Sequence, residues 1–232
     1  MKFKKTTAAI LACACAVPML ALTACGDDEN DDNPPGVTTY TFEAEGVDLS
    51  EQSGRGWSNE ATGCQMIMGK NNSTIADNSK VLNSISNGYF VGFFGIQGTV
   101  LEFDINADEA DADAKLVLRL ASEWGTLQVD DSVMTVEVNG TKISYDALDV
   151  TGKNIGSATE AEYGVPFKDF TLSSSIALKK GENTVKIIAS GKLFNDTSIP
   201  CGPGVDCIKI KSKSTLTWES LWEYNKDNVQ SY

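Results

Sequence analysis

The chain has no histidine and only two arginines, Arg55 and Arg119, among its 232 residues. The first absence removes every mechanism that needs imidazole, including a Ser-His-Asp or Cys-His nucleophile, a histidine general base and a histidine-ligated zinc. The second, with 19 basic against 32 acidic residues and a formal charge of -13, removes the basic surface that phosphate-backbone binding requires. Nucleic acid is therefore excluded as a partner. No internal repeat is visible, and no long helical period appears before the last twenty or so residues. What remains is 41% hydrophobic residues, enough for a real core, in a length that suits one all-β domain or two small ones.

At the N-terminus, Lys2, Lys4 and Lys5 precede an apolar run from Thr6 to Ala24 that Pro18 interrupts and small residues close. Residues 1–24 thus read as an export signal rather than a membrane-spanning helix. Leu22-Thr23-Ala24-Cys25 resembles the bacterial lipobox, which implies a lipidated Cys25 as the mature N-terminus. Several acyl chains, at about 0.8 kcal/mol per buried methylene, would anchor the protein stably. Residues 25–37, with Asp27, Asp28, Glu29, Asp31, Asp32, Pro34 and Pro35, form a solvated linker. Acids directly after the lipidated cysteine are similar to the surface-export signal of Bacteroidetes lipoproteins, which implies an outer-membrane, cell-surface location. Removing the three signal lysines takes the charge from -13 to -16, so the mature protein repels anionic polymers and membranes.

From residue 38 to 213 the chain reads as short strands between Gly, Asn, Asp and Ser clusters. Tyr40, Phe42 and Ala44 alternate with Glu43 and Glu45, so the two acids share a strand face. Strands are expected over 89–94, 99–105, 115–121, 133–138, 141–145, 167–172, 175–178, 183–190 and 205–211. Asn139-Gly140 is a two-residue hairpin signal, because both positions of a type I′ turn need positive φ. The acidic stretch 108–114 reads as a solvated crossing, since a helix-flanked calcium loop needs a glycine and a closing Glu that are out of register here. The fold class that follows is all-β, a two-sheet antiparallel jelly-roll β-sandwich, with a short C-terminal helical or irregular tail over 214–232.

Several pieces stand in a familiar order: Phe42-Glu43-Ala44-Glu45, Ser86-Asn87-Gly88-Tyr89-Phe90-Val91-Gly92-Phe93, Leu116 to Ala121, Val138-Asn139-Gly140, Leu178 to Val185, and Gly202-Pro203-Gly204-Val205-Asp206-Cys207-Ile208. Together they resemble the carbohydrate-binding modules of families 6 and 35, galactose-binding-like β-sandwiches that bind glycans without cleaving them. The resemblance implies a structural calcium where the first and last strands meet, with Glu43, Glu45 and Asp206 as ligands and backbone carbonyls completing the shell. Carboxylate pairs suit a hard cation. By alternation Asp206 shares its face with Ile208 and Ile210, which places it at the end of a core-facing strand.

Sugar recognition needs an exposed aromatic platform among amides and carboxylates. Trp57, in the polar glycine-rich loop that ends at Asn59, is the first candidate. Phe167 resembles the family's second loop aromatic, with Tyr163 as an alternative for that role, and Trp124 is a third loop aromatic. The family's sugar-binding asparagine, two residues before the calcium Asp, is replaced here by Gly204, so Asn195 or Asp196 substitutes for it or the common cleft is degenerate.

Three cysteines remain after the signal and Cys25, namely Cys64, Cys201 and Cys207. Three pairings are possible, and Cys64 with Cys201 is preferred because both lie on loops. Without histidine, Cys207 is no nucleophile. In the tail, Leu216, Trp218, Leu221 and Trp222 make an apolar stripe if Thr217 caps a helix, which docks on the domain or meets a surface protein partner. The function expected is non-catalytic glycan binding by a calcium-stabilised surface lipoprotein. The alternative is a protein-binding or structural accessory with a decayed sugar cleft, and a polysaccharide-degrading enzyme ranks below both.

Overall fold

Strand follows strand through most of the residues that the structure describes, as the alternating pattern demands. The computed structural model describes residues 33–49, 66–69, 83–92, 98–121, 128–150, 166–190 and 202–228, all within one compact unit, Asn33–Tyr232. Residues 1–32, with the export signal and Cys25, lie outside the described residues. The end of the linker is a turn in which Val37 N–H donates to Pro34 O at 3.0 Å.

Two antiparallel sheets make a β-sandwich. The first has the order β10 (Lys168–Leu178), β5 (Asp111–Ala121), β12 (Gly204–Ser212), β3 (Tyr89–Gly92), β2 (Met66–Gly69), with β1 (Thr38–Glu43) also paired to β12. The second has the order β13 (Leu216–Trp218), β4 (Val100–Ala107), β11 (Gly181–Ala189), β7 (Met134–Val138), β8 (Thr141–Lys142). A small ribbon joins β6 (Gln128–Val129) to β9 (Leu148–Asp149).

The core lies between the two large sheets, where alternate residues meet. Leu101, Phe103 and Ile105 of β4 and Val185 and Ile187 of β11 face Phe42, Leu116, Leu118, Leu120, Ile208 and Ile210. Each such side chain taken fully from water contributes about 1.5–3 kcal/mol. Asn139 (φ 51°) and Gly140 (φ 75°) form the β7–β8 turn with the positive φ values expected of Asn-Gly.

Three local expectations are corrected. The acidic stretch 108–114 is not a solvated crossing throughout, because β5 begins at Asp111. The buried Asp111 carboxylate accepts from Ser212 Oγ at 2.7 Å and Lys213 N–H at 2.9 Å, which ties it to the end of β12. The segments 167–172 and 175–178 form one strand, β10, with a register shift between Thr171 and Ser175. In the tail, Leu216–Trp218 is a strand and not the start of a helix, pairing Leu216 with Ala107 and Trp218 with Ile105. The free edge of β4 offers these residues a row of backbone partners, which outweighs their helical spacing. The helix that does form, α1, is only Trp222–Asn225, followed by a 3-10 turn over Lys226–Asn228.

Candidate functional site

β12 changes neighbours at its N-terminal end. One edge pairs with β1 from Glu43↔Cys207 to Thr38↔Ser212 and with β3 at Val205↔Val91. On the other edge the register with β5 slips between Val205↔Leu120 and Cys207↔Arg119. Asp206 is the extra residue of this bulge, and a bulge re-aims the side chain it carries. Asp206 therefore does not share the core-facing side of Ile208 and Ile210, as simple alternation implied. Its fully buried carboxylate meets Arg119 Nε at 3.1 Å and accepts the Ser86 N–H at 3.1 and 3.2 Å.

Glu43 ends β1, and the chain then closes into a 3-10 turn over Ala44–Gly46, all three residues buried. Glu45 thus lies on a turn rather than on the strand face of Glu43. The strand ends between the two acids, yet both reach the same loop: Ser86 Oγ donates to Glu43 Oε2 at 2.5 Å and Asn87 Nδ2 to Glu45 Oε1 at 2.9 Å. Glu45 Oε2 is the one buried side-chain oxygen or nitrogen among the described residues without a hydrogen-bond partner. Leaving such a group unsatisfied costs about 1–3 kcal/mol, more for a charge.

The three carboxylates perturb one another. Burial, and then the charge of Glu43, pushes Glu45 from 4.5 up to about 8. Burial and Glu43 likewise push Asp206 from 3.8 up to about 7, against the Ser86 N–H and Arg119. Glu43 is raised by burial despite the Ser86 hydroxyl, Lys209 and Arg119. Arg119 cannot neutralise all three, because its guanidinium also donates to Ser84 O at 2.8 and 3.0 Å and to Asp169 at 2.7 Å. Asp169 in turn accepts from Lys209 Nζ at 2.6 Å. At neutral pH the group must hold protons or a cation. Oxygen donors, buried like charges and an orphaned oxygen fit a hard cation such as calcium. As the side chains stand, no group of three acidic or thiol residues among the described residues is arranged so that it could hold a metal ion.

Ser86 and Asn87 are exposed beside this cluster, and next to them Tyr89 and Trp222 pack ring on ring, centroids 4.5 Å apart and both half-buried. Tyr224, 65% exposed, extends the aromatic surface along α1. Phe167, expected as a solvent-facing platform, is instead buried. It packs on Phe90 with centroids 4.9 Å apart, and its N–H donates to Ser84 Oγ at 2.8 Å. Buried in this way, it offers no solvent-facing platform on which a sugar could stack. At Gly204 a Cβ would stand 3.3 Å from Phe90 Cδ2 and 3.4 Å from Phe167 Cζ. Any side chain at this position would need these rings to give by a few tenths of an ångström. Trp57, Asn59, Trp124, Tyr163 and Asn195, and the Cys64–Cys201 pairing, lie outside the described residues. Cys207 is buried and unpaired, its thiol pushed well up by burial.

Glu43, Glu45 and Asp206 each bond the loop of Ser86 and Asn87, and that loop and its surroundings contain residues that sequence reasoning passed over. Ser86, Asn87 and Tyr89 stood in view within the Ser-Asn-Gly-Tyr motif. Arg119 was visible as one of two arginines, and Trp222 only as part of an apolar stripe.

No family model and no curated protein matches the chain. Among solved structures it is similar to a family 35 carbohydrate-binding module from Clostridium thermocellum, with 17% identity over 75% of this chain and 98% of that one and a TM-score of 0.45. It is also similar to a family 35 module from Cellvibrio japonicus, with 16% identity, 78% and 97% coverage and a TM-score of 0.46. A family 35 module from Paenibacillus barcinonensis shares 20% identity, with 77% and 98% coverage and a TM-score of 0.40.

Proposed function

We propose that this chain is a non-catalytic glycan-binding module, held at the outer surface of a cell by a lipid on Cys25 and stabilised by calcium at Glu43, Glu45 and Asp206. The observation that carries the reading is the buried carboxylate cluster with its orphaned Glu45 oxygen, lying directly beneath an exposed hydroxyl, an amide and an aromatic pair. Calcium would neutralise carboxylates that otherwise take up protons, and so hold the loop of Ser86 and Asn87 in place. Stacked Tyr89 and Trp222 offer an apolar surface of the kind that sugar CH faces cover, and Asn87 and Ser86 offer hydrogen-bonding groups at its border. The sequence motifs that resemble carbohydrate-binding families 6 and 35 point the same way. Glycosidase chemistry is disfavoured because two carboxylates must flank the scissile bond. Here Glu45 is fully buried and both acids are engaged by one loop.

The test is a glycan-array screen of the protein with calcium and with chelator, alongside a reducing-sugar assay on the same glycans. Binding that chelation abolishes, with no sugar release, is the expected result; release of reducing ends would overturn the non-catalytic reading. One observation favours a second reading, a protein-binding accessory. Gly204 stands where the family carries the asparagine that grips sugar hydroxyls, and Phe90 and Phe167 pack tightly beside it. A folded, calcium-bound protein that is silent on the array but retains a surface protein would support it.

A further inference from the structure

Every carbonyl from Glu45 to Val47 is held by the C-terminal segment. Asn225, 3% exposed, donates from Nδ2 to Glu45 O at 2.8 Å and to Val47 O at 2.7 Å. Between them, Leu221 N–H donates to Gly46 O at 2.7 Å. The turn has little backbone bonding to hold it from within: Val47 N–H to Ala44 O is long at 3.4 Å, and Glu43 supplies no side-chain cap.

The same segment presses on the turn from a second side. A Cβ at Gly46 would stand 2.6 Å from Trp218 Cη2 and 2.5 Å from Ser220 Oγ, so only glycine allows this approach. Trp218 is itself seated on Phe42 and Phe103, with centroids 5.6 and 6.2 Å away, and β13 ties it to β4. Further along, Trp222 covers Tyr89, two residues beyond the asparagine that bonds Glu45. Strand, glycine contact, amide and indole all converge on the short turn whose one charged side chain is Glu45.

We propose that Asn225 is a positioning residue for the cation site, and that Leu216–Asn228 acts as a strap whose docking is thermodynamically coupled to cation binding by Glu45. The proposal rests on the calcium reading above. If docking sets where the Glu45 carboxylate stands, an undocked strap leaves a displaced ligand and weaker binding. By reciprocity, bound cation tightens the strap by the same factor. A merely structural role for Asn225 would lower stability and leave affinity alone.

The experiment measures calcium affinity by titration calorimetry for the wild-type protein, Asn225→Ala and Ile187→Val. The last is a control for general loss of stability, since Ile187 is buried in β11 on the other sheet. Asn225→Ala is expected to weaken calcium about tenfold, with Ile187→Val unchanged. Hydrogen exchange on the wild type serves if the variant fails to fold: amides of Leu216–Asn228 should gain protection on adding calcium, and Glu45→Gln should abolish that gain. Wild-type affinity in Asn225→Ala, or strap exchange indifferent to bound calcium, overturns the coupling and leaves the calcium reading intact. A wild-type protein that binds no calcium overturns both.

Discussion

Replacing Glu45 by glutamine should raise the stability of the metal-free protein and, on the proposed calcium reading, remove the stabilisation that calcium would give. The reasoning starts from the carboxyl group, whose pKa moves from 4.5 to about 8 on folding. The folded state therefore keeps a proton that the unfolded chain releases once the pH passes 4.5. Stability falls as the pH rises through the window between those two values, and the loss is complete above about 8. At about 1.4 kcal/mol per unit, the penalty at pH 7 is of order 3 kcal/mol. Asp206, raised from 3.8 to about 7, adds in the same direction from slightly lower pH.

Glutamine keeps the shape and the acceptor for Asn87 Nδ2 but has no proton to give up, so in chelator Glu45→Gln should melt roughly 5–10 °C above wild type at pH 7–8. The difference should vanish near pH 4. On the proposed calcium reading the order should invert in calcium, because a metal bound to the ionised carboxylate would stabilise only the protein that has one. Thermal melts by circular dichroism at pH 4, 6 and 8, with calcium and with chelator, test this. A metal-free Glu45→Gln that melts at or below wild type at pH 8 would refute the claim that Glu45 is a buried, under-compensated carboxylate.

Other consequences are more local. Phe103→Ala empties a fully buried site in the core and should cost about 3–5 kcal/mol by urea denaturation. Gly46→Ala places a methyl within 2.6 Å of the Trp218 ring. It should lower the melting temperature and make the C-terminal segment sensitive to brief proteolysis, while Gly140→Ala, strained only by its positive φ, should cost about 1 kcal/mol and leave the segment protected. Gly204→Asn should destabilise by about 1–3 kcal/mol, because Phe90 and Phe167 must move to admit the side chain. Recovery of sugar binding without loss of stability would contradict that packing.

Much of the architecture was legible in the sequence because alternation and turn chemistry are local. The period-2 runs of Leu101-Phe103-Ile105 and Leu116-Leu118-Leu120 pointed to two facing sheets, and Asn139-Gly140 to a turn that only positive φ can make. Absence was equally informative: no histidine and two arginines narrowed the chemistry before any fold was known. The acids of the candidate site could be named because carboxylates two residues apart, and a third near the other end of the domain, are visible as letters.

Tertiary structure decided the rest, wherever distant segments compete for the same groups. Alternation put Asp206 on the core face, but the mismatch of β12 with β5 forms a bulge that turns it toward Arg119. The spacing of Leu216, Trp218, Leu221 and Trp222 suits a helix in isolation, yet the open edge of β4 recruits Leu216–Trp218 as a strand. Phe167 looked like an exposed loop aromatic until Phe90 supplied a partner to bury it against. The grip of Asn225 on Glu45 and Val47 spans about 180 residues of sequence and leaves no periodicity behind. Short-range pattern specifies which residues can face inward; which of them meet is set by the edges, bulges and backbone acceptors that exist only once the sheets have closed.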